Sequence, residues 1–389
     1  MTVKVLVVHH SLNSCGGGER VSLHLIKLLQ EMSFDVSLAT TEKTDWERVQ
    51  NVMGVRLEKI PREYPLFPFK LRAFGIYQRF LTSFHTSALA RKYDLTINTH
   101  GDVMALPCDV TYLHFPVLAY WKKRILRPYS KYLKSLFWFA YFQPYRLIEE
   151  KMIRKSFSQS LILTNSRFSR EAIREVLGRN SIVIYPPCEI EEYIEKCGRV
   201  EDRDDAAIYI ARFSEEKNNH LLIHIARLLP EVRFYLVGSV AGKGVDYYNY
   251  CRRLKERLNV KNVELFPNAS HEVKLELISK CKVYVHLMPM EHFGISVVEA
   301  LAGGLLPVIH KSGGAWTDIL DYGEYGIGYE RFEPVHIAEK IKMAFEKWNS
   351  AYISLAINRS REFSTERFRE RMKKVVTMML ESFSSATIH

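Results

Sequence analysis

The chain has 389 residues, 47% of them hydrophobic, too many for one ordinary core and suited to two domains of about 150 to 200 residues each. That hydrophobic content excludes wholesale disorder. No apolar run approaches the roughly 18 residues needed to cross a bilayer, the longest obvious one being the seven residues from Leu136 to Phe142. A net charge of +11, from 55 basic and 44 acidic residues, suits nucleic acid, anionic lipid or a phosphorylated ligand without choosing among them.

Six cysteines, Cys15, Cys108, Cys188, Cys197, Cys251 and Cys281, are scattered without CxxC pairing or a histidine partner pattern. This argues against a zinc site or a disulfide framework and fits a reducing compartment. The N-terminus enters the strand pattern Val3–Val8 directly, with no basic flank, long apolar core or cleavage site, so a cytoplasmic protein is expected.

After that strand, the loop Gly16-Gly17-Gly18-Glu19-Arg20 opens an amphipathic helix over Val21–Leu29. Strand, glycine loop and helix bring backbone amides close to phosphate oxygens. The loop is neither a P-loop nor a dinucleotide fingerprint, since no Gly-Lys-Ser/Thr follows and Val21 stands where a third glycine belongs. Residues 34 to 60 read as further strand and helix, Phe34–Ala39 and then Val55–Ile60, Pro61, Pro65 and Pro68 break the pattern, and Phe69–Lys92 resumes as a helix. The buried strand Asp94–Asn98 leads to a polar loop with His100 and Asp102, at the strand end where open α/β sheets place ligands, so both are candidate acceptor contacts beside the reading as an ordinary turn. His114 closes a further strand in Tyr112-Leu-His114-Phe-Pro116.

Tyr120–Lys155 holds ten aromatic residues and ten Lys or Arg against two Glu, a net +8, the pattern of an interfacial membrane anchor; a core helix with a solvated charged face is the alternative, and no RRM or KH signature supports RNA binding. Glu149–Ser158, Arg167–Gly178, Leu161–Ser166 and Ile182–Tyr185 alternate as helices and strands, and the charged run Glu189–Asp205 reads as an inter-domain linker.

A second domain restarts with the strand Ala207–Arg212 and the turn holding Lys217; two fixed cations at a strand end can neutralise the charge on a departing nucleoside diphosphate. Strands at Val232–Gly238 and Val263–Pro267 and helices at Asp246–Leu258 and His271–Ser279 lead to the strand Lys282–Met288. There Met290-Glu291-His292-Phe293-Gly294-Ile295 opens a short helix. Its free N–H groups at 293 to 296 form the positive end of a dipole, a seat for a diphosphate. Glu291 in the loop can accept N–H groups and sugar hydroxyls, and Glu299 lies about 1.5 turns down the helix; a helix cap and a solvated carboxylate are the alternatives.

Glu291, seven residues, Glu299, then Gly303-Gly304 and Ser312-Gly313-Gly314 resemble the donor-site signature of retaining glycosyltransferases of family 4. The form Glu-His-Phe-Gly-Ile with Ser-Gly-Gly and Asp318-Ile319 is most similar to the ALG eleven type of lipid-linked-oligosaccharide α-1,2-mannosyltransferases. The resemblance implies an α/β chain of the GT-B class, two Rossmann-like domains facing across a cleft: 1–196, with a C-terminal helix at 365–389 packing back on it, and 197–364.

It further implies that Gly16, Gly17 and Gly18 border donor phosphates and acceptor, and that His114 hydrogen-bonds a sugar hydroxyl. Arg212 and Lys217 would hold the diphosphate, Asn268 would border the base, and Glu291, His292, Phe293, Gly294, Ile295 and Glu299 would complete the donor site. Transfer of a hexose from a nucleotide sugar, GDP-mannose by preference, to a polyprenyl-diphosphate glycan is the implied reaction. No DxD motif occurs in a suitable loop, and no metal, other cofactor or nucleic acid partner is expected. UDP-glucose or UDP-GlcNAc as donor, and a non-catalytic carbohydrate- or nucleic-acid-binding protein, are the competing readings.

Overall fold

The computed structural model describes all residues except 1, 70–74, 102–106, 123–134, 199, 201, 243 and 387–389. The chain forms two compact units, Met1–Pro187 with Glu366–His389, and Cys188–Thr365.

The first unit contains β1 (Lys4–Val8), α1 (Gly17–Glu31), β2 (Asp35–Glu42), α2 (Trp46–Met53), β3 (Arg62–Phe67), α3 (Gly75–Ala90), β4 (Leu95–Asn98), β5 (Val110–Leu113), α4 (Val117–Lys122), α5 (Leu136–Ser156), β6 (Leu161–Thr164), α6 (Arg167–Leu177) and β7 (Ile182–Val183). Its parallel sheet runs β3-β2-β1-β4-β5-β6-β7, with Val5 in register with Val36 on one side and Leu95 on the other. Val5 to Val8 are all fully buried, as befits an inner parallel strand covered on both faces. The strand order reverses between β1 and β4, so the residues just beyond these two strands line the crevice where such sheets take ligands.

Two local readings of the sequence change. Residues 55–60 are neither strand nor helix; the sheet instead extends through Arg62–Phe67, across Pro65. Proline is tolerated there because β3 is an edge strand, and Glu63 fixes it by accepting the Thr44 N–H, the Thr44 and Thr40 hydroxyls and the Trp46 indole N–H. Likewise α1 begins at Gly17 rather than Val21, since the Glu19 carboxylate accepts the Gly16 N–H at 2.8 Å and caps the first turn.

The second unit contains α7 (Glu191–Lys196), β8 (Ala206–Ile210), α8 (Asn219–Arg227), β9 (Arg233–Gly238), α9 (Gly244–Arg257), β10 (Val263–Pro267), α10 (His271–Lys280), β11 (Val283–His286), α11 (Ile295–Ala302), β12 (Leu306–His310), β13 (Ile327–Tyr329), α12 (Pro334–Lys347) and α13 (Ser350–Ser360). Its parallel sheet, β10-β9-β8-β11-β12-β13, reverses between β8 and β11. The last helix, α14 (Thr365–Ala386), buries Phe368, Met372 and Val376, spaced i, i+4, i+8, in the core of the first unit with Val5 and Leu25.

The charged run Glu189–Asp205 is built into the second unit, whose boundary falls at Pro187/Cys188 rather than 196/197. Charge there has a structural use: the Arg203 guanidinium, 7% exposed, donates to the carbonyls of Cys197, Cys281 and Gly303. These are the C-caps of α7, α10 and α11, the negative ends of three helix dipoles. Burial lowers the Arg203 pKa to about 10.

Candidate functional site

In the second unit the strand reversal sets the carboxyl ends of β8 and β11 side by side. From the turn after β8 comes Lys217, in a 3-10 segment Glu215–Lys217; from the loop after β11 comes Glu291. The Lys217 ammonium lies 2.7 Å from Glu291 Oε2 and 2.8 Å from Met288 Sδ. Both charged side chains are partly buried, at 19% and 21% exposure, which keeps the pair in a weakened dielectric. Burial pushes the Glu291 carboxyl up, but Lys217 and His286 outweigh it and hold Glu291 well below the usual carboxylate range.

The loop holding Glu291 is braced from behind. Met290 N–H donates to Ser312 Oγ at 2.8 Å, and Gly314 N–H donates to the Glu291 carbonyl at 2.7 Å. Gly313 is in the left-handed region at φ 81°, and a Cβ there would lie 2.2 Å from the Glu291 carbonyl oxygen. The Ser-Gly-Gly segment is thus the bed of the Glu291 loop, and only glycine allows so close a backbone approach.

The other donor-side candidates take varied positions. Gly294 (φ 107°) is the N-cap of α11 and Ile295 its first residue. Glu299, on the same helix, lies 3.5 Å from Lys274, whose ammonium also sits over the Tyr193 ring. Phe293 is buried against Phe363, and burial lowers the His292 pKa to about 4. Arg212 stands apart from the Lys217–Glu291 pair: it is 65% exposed and donates to Glu216 at 3.0 Å. Asn268 donates its backbone N–H to Gly238 and accepts the Val240 N–H, so it ties the loops after β9 and β10 together.

In the first unit the ends of β1, β4 and β5 bring four histidines together. His9 Nδ1 meets Thr99 Oγ1 at 3.0 Å and Ser22 Oγ at 2.9 Å, while His9 Nε2 lies 3.5 Å from both Glu19 Oε1 and His100 Nδ1. The His100 ring stands edge-on to His9 and tilted to His10. Burial, with His9, Arg79, His10 and His114 adding to it, holds His100 well below the usual imidazole range. His114 Nε2 is 3.1 Å from the Thr99 carbonyl. A carbonyl only accepts, so His114 carries its proton on Nε2. Gly16 and Gly17 start α1, and a Cβ on Gly18 would come within 3.2 Å of His114 Nε2. Asp102 lies outside the described residues.

The sequence pattern marks Lys217 and Glu291 but not His286, Met288, Lys274, His9 or Thr99. The available signal was a polar residue at the carboxyl end of a buried parallel strand, which His286, His9 and Thr99 share. Among the described residues no group of three or more His, Cys, Asp or Glu is arranged to hold a metal ion.

Two Rossmann-like units of parallel strands make up the architecture of the GT-B fold. The crystal structure of Anabaena Alr3699/HepE in complex with UDP and glucose aligns over 96% of this chain and 99% of its own, with TM-score 0.69 and 18% identity. Thermosynechococcus elongatus sucrose-phosphate synthase aligns over 98% of this chain and 100% of its own, with TM-score 0.75 and 13% identity.

Residues 189–355 match the model of the family "Glycosyl transferases group 1". Curated relatives named GDP-Man:Man(3)GlcNAc(2)-PP-Dol alpha-1,2-mannosyltransferase include that of Eremothecium gossypii, 26% identical over 54% of this chain and 38% of its own. That of Dictyostelium discoideum is 31% identical over 44% and 37%, and that of Homo sapiens 25% identical over 58% and 52%. The chain therefore spans about half or less of the length of these relatives.

Proposed function

We propose that the chain is a retaining, metal-independent hexosyltransferase that moves mannose from GDP-mannose to a polyprenyl- or dolichyl-diphosphate-linked oligosaccharide. The observation that carries this reading is the Lys217–Glu291 pair at the mouth of α11, a fixed cation beside a fixed carboxylate. Lys217, Arg212 and the α11 entrance at Gly294 would hold the diphosphate, and Glu299 the ribose hydroxyls. Glu291 would orient the sugar. Positive charge at the donor site then stabilises the leaving diphosphate, the service a metal gives in other transferases. On same-face attack the departing phosphate oxygen accepts the acceptor proton, so no separate base is required. The glycine loop and the histidines His100 and His114 form the acceptor-side surface. The relatives' printed names support the choice of donor and acceptor.

Association with the cytoplasmic face of a membrane belongs to the same proposal. At the start of α5, Leu136 and Phe137 are 83% and 69% exposed, and burying each in lipid would release about 1.5 to 3 kcal/mol. Residues 123–134 of this basic aromatic segment lie outside the described residues. Among the described residues no helix is long and apolar enough to cross a membrane.

A panel of labelled nucleotide sugars, each offered with short polyprenyl-diphosphate acceptors, tests the reading. Transfer from GDP-mannose supports it; transfer only from UDP-glucose or UDP-GlcNAc replaces the donor. Absence of transfer and of nucleoside-diphosphate binding would leave a carbohydrate- or nucleic-acid-binding protein.

A further inference from the structure

His286 has no place in the scheme above, yet it lies directly under the site. It is the last residue of β11, 3% exposed, and its Nε2 is 3.6 Å from Glu291 Oε2. Its own position is fixed from three sides. Its Cα is paired with Ile309 of β12, its carbonyl accepts the Tyr329 hydroxyl at 2.9 Å from β13, and its ring stands edge-on to Tyr209 of β8.

We propose that His286 is a positioning residue of the donor site: a fixed neutral imidazole that keeps the Glu291 carboxylate ionised and aimed when a diphosphate draws Lys217 away. This rests on the reading of the second unit as a nucleotide-sugar site. Lys217 Nζ at 2.7 Å and His286 Nε2 at 3.6 Å both lie against Oε2 of Glu291, which leaves Oε1 to meet a sugar hydroxyl. Once Lys217 turns to phosphate, Glu291 loses its nearest partner, and His286 remains as the donor that holds the carboxylate. Donation to the carboxylate requires the imidazole proton on Nε2, the ring atom that lies 3.6 Å from it.

Neutrality is part of the function. Burial lowers the His286 pKa and Lys217 adds to that, while Glu291 opposes it. An imidazolium here would cancel Glu291 and leave Lys217 uncompensated. The other titratable groups facing Glu291 preserve this balance: His292 on the same loop is held neutral by burial, and burial raises the tyrosines Tyr209 and Tyr284 beneath it, so they stay un-ionised.

The test compares His286→Phe, which removes the donor, with His286→Gln, which retains one. Expected for His286→Phe is GDP affinity within about twofold of wild type and kcat lower by about tenfold to a hundredfold, the scale for a misplaced reacting group. Its acid limb of kcat moves to higher pH, and His286→Gln recovers most of the loss. A structural role alone would lower GDP affinity, kcat and melting temperature together in both variants, which would overturn the proposal.

Two readouts need no transfer activity. In wild type, imidazole 15N shifts at pH 7 should show His286 neutral with the proton on Nε2, and the other tautomer or an imidazolium overturns the proposal whether or not the variants fold. The Glu291 carboxyl 13C titration should move up in His286→Phe. If wild type transfers no sugar, the proposed function falls, and these two measurements still decide the role of His286.

Discussion

Replacing Lys217 with alanine separates the function of the site from its fold. The ammonium sits 2.7 Å from Glu291 Oε2. At an effective dielectric of about 20, unit charges at that distance attract with about 6 kcal/mol before desolvation is counted. The net worth of such a charge-assisted hydrogen bond is smaller, about 1.5 to 3 kcal/mol. In the transition state the same ammonium faces a diphosphate gaining charge, and loss of one preorganised donor costs about 2.7 to 4 kcal/mol, or 10² to 10³ in kcat.

Initial rates of hexose transfer at saturating donor should therefore fall at least about a hundredfold in Lys217→Ala. The pH profile carries a second signature. Glu291 has a depressed pKa in the folded chain, so its ionised form contributes stability above the unfolded value, lost as pH falls through the folded value. Without Lys217 the folded value rises, and both the acid limb of the rate and the onset of acid unfolding move to higher pH. A kcat within twofold of wild type would remove Lys217 from the chemistry and refute the reasoning.

Gly313→Ala should displace the Glu291 loop, because the new Cβ would lie 2.2 Å from the Glu291 carbonyl oxygen. The left-handed conformation adds about 1 to 2 kcal/mol of strain, so transfer should drop more than about tenfold with a lower melting temperature; wild-type kinetics would contradict the bracing. Arg203→Met should destabilise the second unit by more than about 3 kcal/mol, since several buried carbonyls lose their donor at about 1 to 3 kcal/mol each. Chemical denaturation checks this, and a loss below 1 kcal/mol would dismiss the three-helix cap. Leu136→Asp with Phe137→Asp should lower sedimentation with anionic liposomes while donor hydrolysis persists; equal sedimentation would end the membrane proposal.

The parallel strands were legible because their apolar runs are short and end in polar or glycine-rich loops. The same property concealed His286: Val283 to His286 is buried on both faces, so alternation does not say which way a side chain points. Lys217 and Glu291 were each legible from the local sequence, but their pairing spans 74 residues and depends on β8 lying beside β11, which no local pattern specifies. Arg203 reads as linker charge because an arginine flanked by acids on both sides looks solvated; its function appears only when three helix ends converge on it. Pro65 looks like a break in the sequence, though its position on an edge strand removes the usual objection.

Calorimetric titration of GDP into wild-type protein and into Lys217→Ala tests the central claim most directly. The account predicts saturable binding to the wild type, weakened at least about tenfold when the ammonium is removed, the loss of roughly one charge-assisted hydrogen bond. Heat indistinguishable from dilution for GDP and for UDP in the wild-type protein would contradict it.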